Sequence, residues 1–151
     1  SHKIYTEAEM EARYETILEE YSKTLNIEAL TMSSMVRKDI LPSVSSYIAS
    51  LADAVNSKRA VCADLPCGAE TSLIRKLSGL MDEAYEKVEK LDALLADSKM
   101  ESHNTLSVAT YYKDAIIPAM EGIRAVVDQM EVDTSADFWP YPTYGDLMFK
   151  V

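Results

Sequence analysis

Apolar residues recur along this chain in steps of three and four, the spacing of one face of an α-helix. In a first segment, expected over residues 6–56, the stripe reads Met10, Tyr14, Ile17, Leu18, Tyr21 and Leu25. It resumes with Val44, Ile48, Leu51 and Val55. Residues 26–36 between the two runs are less regular but helix-compatible. Pro42 removes a backbone donor and crowds the preceding turn, so it predicts a kink. Pro66 and Gly68 end the segment in a loop. A second helix is expected over 69–97, with Leu73, Leu77, Leu80, Val88, Leu91 and Leu95 on its buried face. Glu83 with Lys87, and Glu86 with Lys90, are acid-first pairs four apart that support its exposed face. After a polar turn over 98–104, a third helix is expected over 105–131. Its stripe is Ala109, Tyr112, Ile116, Met120, Ile123, Val127 and Met130, and Pro118 predicts a second kink.

The two prolines share a context: Lys38-Asp39-Ile40-Leu41-Pro42 resembles Lys113-Asp114-Ala115-Ile116-Ile117-Pro118. If the first and third helices run parallel, the kinks fall at one level; the other reading is two independent kinks. The closing segment, Phe138-Trp-Pro-Tyr-Pro-Thr-Tyr-Gly-Asp-Leu-Met-Phe149, changes character. Pro140 and Pro142 favour extended backbone. The rings are expected to pack against a surface, either this chain's own helices or a neighbouring domain. The expected fold class is therefore all-α: an elongated up-down-up bundle with proline-kinked first and third helices and an extended aromatic C-terminal tail. Residues 1–2 read as a tag remnant, 3–133 as the helical bundle and 134–151 as the tail. A fourth helix arises if the first segment breaks near Asn26 or Pro42.

Composition narrows the function. The 151 residues are 48% hydrophobic with only 4 Gly and 5 Pro, which suits long elements around a real core. The net charge of −10 argues against nucleic acid and against anionic lipid, both of which attract clustered Lys and Arg. No apolar run approaches the length of a membrane span, and no signal peptide is visible. Cys62 and Cys67 flank a short loop, where a disulfide is geometrically possible; two cysteines make neither a disulfide scaffold nor, without further ligands nearby, a zinc site. Reduced thiols are the expectation.

Catalytic patterns are missing from the sequence. The four glycines lie too far apart for a phosphate loop, and neither His-Glu-x-x-His nor Gly-x-Ser-x-Gly occurs. His103 sits at a polar turn, where a solvated or capping residue is expected. No Glu-x-x-His pair suggests a carboxylate-bridged metal bundle. Glu19-Glu20, Asp82-Glu83 and Glu86 read as solvated faces, and the eight methionines largely as core. No catalytic, cofactor-binding or metal-ligating residue is assigned. The candidate interface residues are Phe138, Trp139, Tyr141, Tyr144 and Phe149, because large aromatics dominate packed contacts.

Several segments together resemble the C-terminal region of type III glutamine synthetases, the long-chain bacterial class. They are Arg13-Tyr14-Glu15, Asn26-Ile-Glu-Ala-Leu-Thr-Met32, Ile40-Leu-Pro42, Ala60-Val-Cys62, Tyr111-Tyr-Lys-Asp114 with Ile117-Pro-Ala-Met120, and the closing aromatic motif. They follow the family's order and cover nearly the whole chain; the closing motif is the most specific. The resemblance implies a parent enzyme of nitrogen metabolism, a cytoplasmic ligase that joins ammonia to glutamate with ATP through glutamyl phosphate, aided by magnesium or manganese. It implies an upstream catalytic domain as partner and a large homo-oligomer. The family's catalytic carboxylates and arginines have no counterpart here, so this fragment is expected to hold no cofactor and to serve assembly or domain contact. The competing readings are a stand-alone helical interaction module and a regulatory domain binding a small molecule between helices.

Overall fold

The computed structural model describes residues 6–99 and 104–142, and helices are the only regular structure among them. Helix α1 spans Glu7–Met35 and passes through a π-helical turn, Val36–Ile40, into α2, Leu41–Val61. Helix α3 spans Gly68–Ser98. Helix α4, Thr105–Tyr111, passes through a second π turn, Tyr112–Ile116, into α5, Ile117–Asp133. The all-α expectation holds. The first helical segment continues to Val61, five residues beyond its expected end, because Lys58 and Arg59 suit a helix C-terminus and nothing before Pro66 forbids another turn.

Two helix starts are set by side-chain caps. Thr6 and Glu9 form a reciprocal capping box: the Glu9 N–H donates to Thr6 Oγ1 at 3.1 Å, and the Thr6 N–H donates to Glu9 Oε2 at 3.3 Å. Asn104 caps α4 through Oδ1, which accepts from the Ser107 N–H at 2.7 Å.

The prolines are met by a change of hydrogen-bond register. An α-helix would send the Leu41 N–H to residue 37; here it reaches back five residues to the Val36 carbonyl. In the same way the Ile117 N–H bonds the Tyr112 carbonyl. Proline has no N–H to give and its ring crowds the carbonyl four residues back. A wider turn placed just before it relieves that crowding. The likeness between the two sites extends to burial. Counting from each proline, Val36, Ile40 and Val44 are buried in one, and Tyr112, Ile116 and Met120 in the other. The proline, rather than the Lys-Asp pair, sets the alignment; the two Lys-Asp pairs fall one residue out of step.

The chain divides into two compact units, one of Ser1–Ser33 with Glu89–Glu121, the other of Ser34–Val88 with Gly122–Val151. In the first unit, Leu91, Ile116 and Ala109 are buried, together with small residues on α1: Ala29, Ser22 and Ser33. The unit also carries a polar network. The Tyr112 hydroxyl donates to Asn26 Oδ1 at 3.1 Å and lies 3.2 Å from Ser98 Oγ, which donates to the Leu95 carbonyl at 2.6 Å. Ser33 Oγ donates to Asp92 Oδ1 at 2.7 Å, and the Tyr111 hydroxyl to the Leu94 carbonyl at 2.7 Å. Asn26 and Tyr112, 86 residues apart, come from two of the segments that carry the family resemblance.

In the second unit, Leu77, Ala84, Val88, Ile123, Val126 and Met130 are almost wholly buried. Each large one contributes about 1.5–3 kcal/mol of hydrophobic stabilisation. Lys58 bridges Glu70 at 2.6 Å across the loop between α2 and α3. That pairing raises the Lys58 pKa and lowers that of Glu70. Arg37, in the first π turn, lies over the Tyr85 ring at 5.7 Å.

Candidate functional site

The most concentrated cluster of candidate residues lies just after α5. Two backbone bonds close a turn there: the Phe138 and Trp139 N–H groups both donate to the Ser135 carbonyl, at 2.9 and 3.1 Å. Pro140 follows and stops any further helix. The turn buries Trp139, which keeps 8% of its surface exposed. The Phe138 ring meets Tyr47 of α2 with centroids 5.3 Å apart at a tilt of 46°, a favourable aromatic geometry. The Tyr141 hydroxyl donates to Asp39 Oδ2 in the first π turn at 2.8 Å. Burial first, then the bond to Asp39 and its negative charge, push the Tyr141 phenol up to about 12.

Three of the five candidate interface residues, Phe138, Trp139 and Tyr141, thus share one stretch of the second unit, and two of them touch side chains of this same chain. Tyr144, Phe149 and His103 lie outside the described residues. Cys62 and Cys67 are free thiols. Cys62 is exposed and donates to Asp64 Oδ1 at 2.6 Å, which holds the Asp64 carboxyl below its usual range. Cys67 is buried, with its sulfur 3.6 Å from the Leu65 carbonyl.

The N-terminal stripe is an exposed one. Met10, Tyr14, Ile17 and Tyr21 share one helical face, as their spacing implies, and are 60, 54, 66 and 38% exposed. From Glu7 to Tyr21 every residue is exposed except the half-buried Leu18. The residues α1 buries instead are Ser22, Ala29 and Ser33. Helical period marks an apolar stripe but does not say whether this chain or another surface covers it. The available signal is the density of charge: six glutamates stand between Glu7 and Tyr21 against the single Arg13.

Among the described residues no group of three or more His, Cys, Asp or Glu is placed to hold a metal ion. No helix among them is long and apolar enough to cross a membrane. Two grooves among the described residues are open depressions, one along α1 beside Ala12, Arg13, Thr16 and Ile17, another along α4 and the second π turn beside Leu106, Ser107, Thr110, Tyr111, Asp114 and Ala115. With one cation, Arg13, in the first groove and one carboxylate, Asp114, in the second, neither lining fits an ATP–metal pair.

The fold and this cluster define an all-helical domain organised around packing contacts. The family described as the glutamine synthetase C-terminal domain matches residues 1–59. Over 99% of its length the chain is 31% identical to a glutamine synthetase of Butyrivibrio fibrisolvens, of which it covers 21%. Over 97% of its length it is 27% identical to a type-3 glutamine synthetase of Dictyostelium discoideum, covering 20% of that protein. A glutamine synthetase of Bacteroides fragilis is 24% identical, with 21% of it covered. The chain is thus homologous to glutamine synthetases, a type-3 one among them, nearly from end to end, and spans about a fifth of the length of these relatives.

Proposed function

We propose that this chain is the noncatalytic C-terminal helical part of a glutamine synthetase and serves assembly or domain contact. In this reading the catalytic domain lies upstream in the same polypeptide. That domain ligates ammonia to glutamate with ATP through glutamyl phosphate, using magnesium or manganese, in a cytoplasmic homo-oligomer. The observation that carries the reading is the similarity itself: it runs through almost all of this chain while leaving about four-fifths of each relative unmatched. The packing supports it, since the residues gathered after α5 are aromatic rather than acid–base. Phe138, Trp139 and Tyr141, with Tyr144 and Phe149 further along, form the proposed contact segment, and Trp139 fixes it in place.

The test grafts this chain onto a type III glutamine synthetase truncated at the matching point. Oligomer mass and glutamine formation from ATP, glutamate and ammonia are then compared with the ungrafted truncation. Restored assembly and activity are the expected result. If graft and truncation behave alike, whether both are active or both inert, an architectural role fails and a stand-alone interaction module takes its place.

A further inference from the structure

The first four turns of α1 carry an apolar stripe that the described residues leave uncovered. Met10, Tyr14, Ile17 and Tyr21 follow at steps of four, three and four, so they line one face within a 60° arc. The turns are capped at Thr6 and continuous with the packed part of the helix, so the stripe stands ready-formed. An isolated helix this short is marginal in water. A contiguous patch of large apolar side chains on such a helix marks a contact surface.

We infer that this stripe docks on the upstream part of the same polypeptide, on a surface apolar at its centre and basic at its rim. The inference rests on the reading of the chain as a C-terminal domain. Three observations select that occupant over a second copy of this chain. The first is place: the matched family is a C-terminal domain and the relatives are about five times longer, so in this reading the rest of a full-length polypeptide joins ahead of α1, the helix that carries the stripe. The second is charge. Glu7, Glu9, Glu11 and Glu20 fall on the two borders of the stripe and Arg13 is the one basic residue between Glu7 and Tyr21, so the rim is net acidic; two copies would repel, whereas a basic rim would attract. The third is size. Four half-exposed side chains offer on the order of 300–400 Å², well short of the roughly 800 Å² per partner of a stable intermolecular interface. A patch that small suffices when the partner is tethered and the contact is intramolecular.

Oxidative footprinting of native residues tests this in the full-length polypeptide and in the isolated 151-residue chain. Met10, Tyr14 and Tyr21 are the probes; Tyr85, 51% exposed and far from the stripe in sequence, is the internal control. Docking makes the three probes at least about tenfold slower to oxidise in the full-length protein than in the isolated chain, at every protein concentration, with Tyr85 unchanged. Ile17→Glu in the full-length protein restores their rate while leaving the helix content of the isolated chain as it was. Equal rates in both proteins overturn the inference. So does protection of the isolated chain that grows with concentration, which indicates a second copy. Glutamine formation by the full-length protein is measured alongside. If it is present while the probes stay reactive, docking fails and the C-terminal-domain reading stands. If no upstream region exists or no glutamine forms, that reading falls first and takes this inference with it.

Discussion

Replacing Tyr112 by phenylalanine removes one oxygen from the centre of the first unit's polar network and little else. The ring is 5% exposed, so Phe keeps the packing. Two hydroxyls supply two hydrogens for three contacts. The Ser98 hydrogen is committed to the Leu95 carbonyl at 2.6 Å and the Tyr112 hydrogen to Asn26 Oδ1 at 3.1 Å, so the 3.2 Å approach of the two oxygens has no hydrogen of its own. Deleting the Tyr112 hydroxyl therefore costs Ser98 nothing and costs Asn26 one donor. Asn26 is half-buried, and water recovers part of the loss. The net penalty is about 1 kcal/mol. For a chain of this length that lowers Tm by roughly 2–4 °C if unfolding is two-state. If the units open separately, hydrogen exchange shows the loss in the helical amides of the first unit alone. Asn26→Ala and the double variant complete the cycle, with an expected coupling of about 1 kcal/mol. An unchanged or raised Tm for Tyr112→Phe, or a coupling near zero, would refute the hydrogen-bonded assignment.

Gly79 lies in the interior of α3, and a Cβ there meets nothing within 4 Å, so Gly79→Ala is expected to add about 0.5–1 kcal/mol, read from urea midpoints at constant m. Trp139 is the chain's sole tryptophan, so its emission reports the turn directly. Blue-shifted native fluorescence is expected, and Trp139→Ala should cost about 3–5 kcal/mol in a thermal melt; a loss below about 1 kcal/mol would mean the turn is not packed. The Tyr141 phenol, pushed up to about 12, binds its proton more tightly folded than unfolded. The stability this contributes is complete below the ordinary tyrosine value near 10 and is lost as pH rises toward 12. Absorbance titration of tyrosinate should show a late-titrating phenol that Tyr141→Phe abolishes.

Where the buried face is built from large side chains, the sequence is readable. In α3, Leu77, Leu80, Val88, Leu91 and Leu95 are buried as their spacing implies, and Ala84 completes the series at a position where a small side chain gives little signal. In α5 the pattern slips by one, with Val126 buried and Val127 half-buried, because adjacent valines offer the helix a choice that only packing makes. Helix α1 inverts the rule. Its fully buried seam is small and partly polar at Ser22, Ala29 and Ser33, while Met10, Tyr14, Ile17, Tyr21, Ile27 and Leu30 are exposed and Leu18, Leu25 and Met32 only half-buried, so reading size as burial fails there. The aromatic segment stands out by composition, but its tie to the first π turn depends on Asp39, 102 residues away from Tyr141, a pairing that no local pattern encodes.

The two π turns also bear on how this chain tolerates gain or loss of a residue. A π turn is in effect one extra residue held within an otherwise α-helical run. Deleting a residue within Val36–Ile40, together with Pro42→Ala, would let the helix close to plain α geometry with both flanks still facing as they do. The same deletion a few turns earlier in α1 would swing everything on one side of it by about 100° about the helix axis, carrying Met10, Tyr14, Ile17 and Tyr21 off their common direction relative to the buried seam. The first π turn is thus the place in the first helical segment where loss of a residue is expected to be tolerated, and the second π turn before Pro118 offers the same allowance to the last.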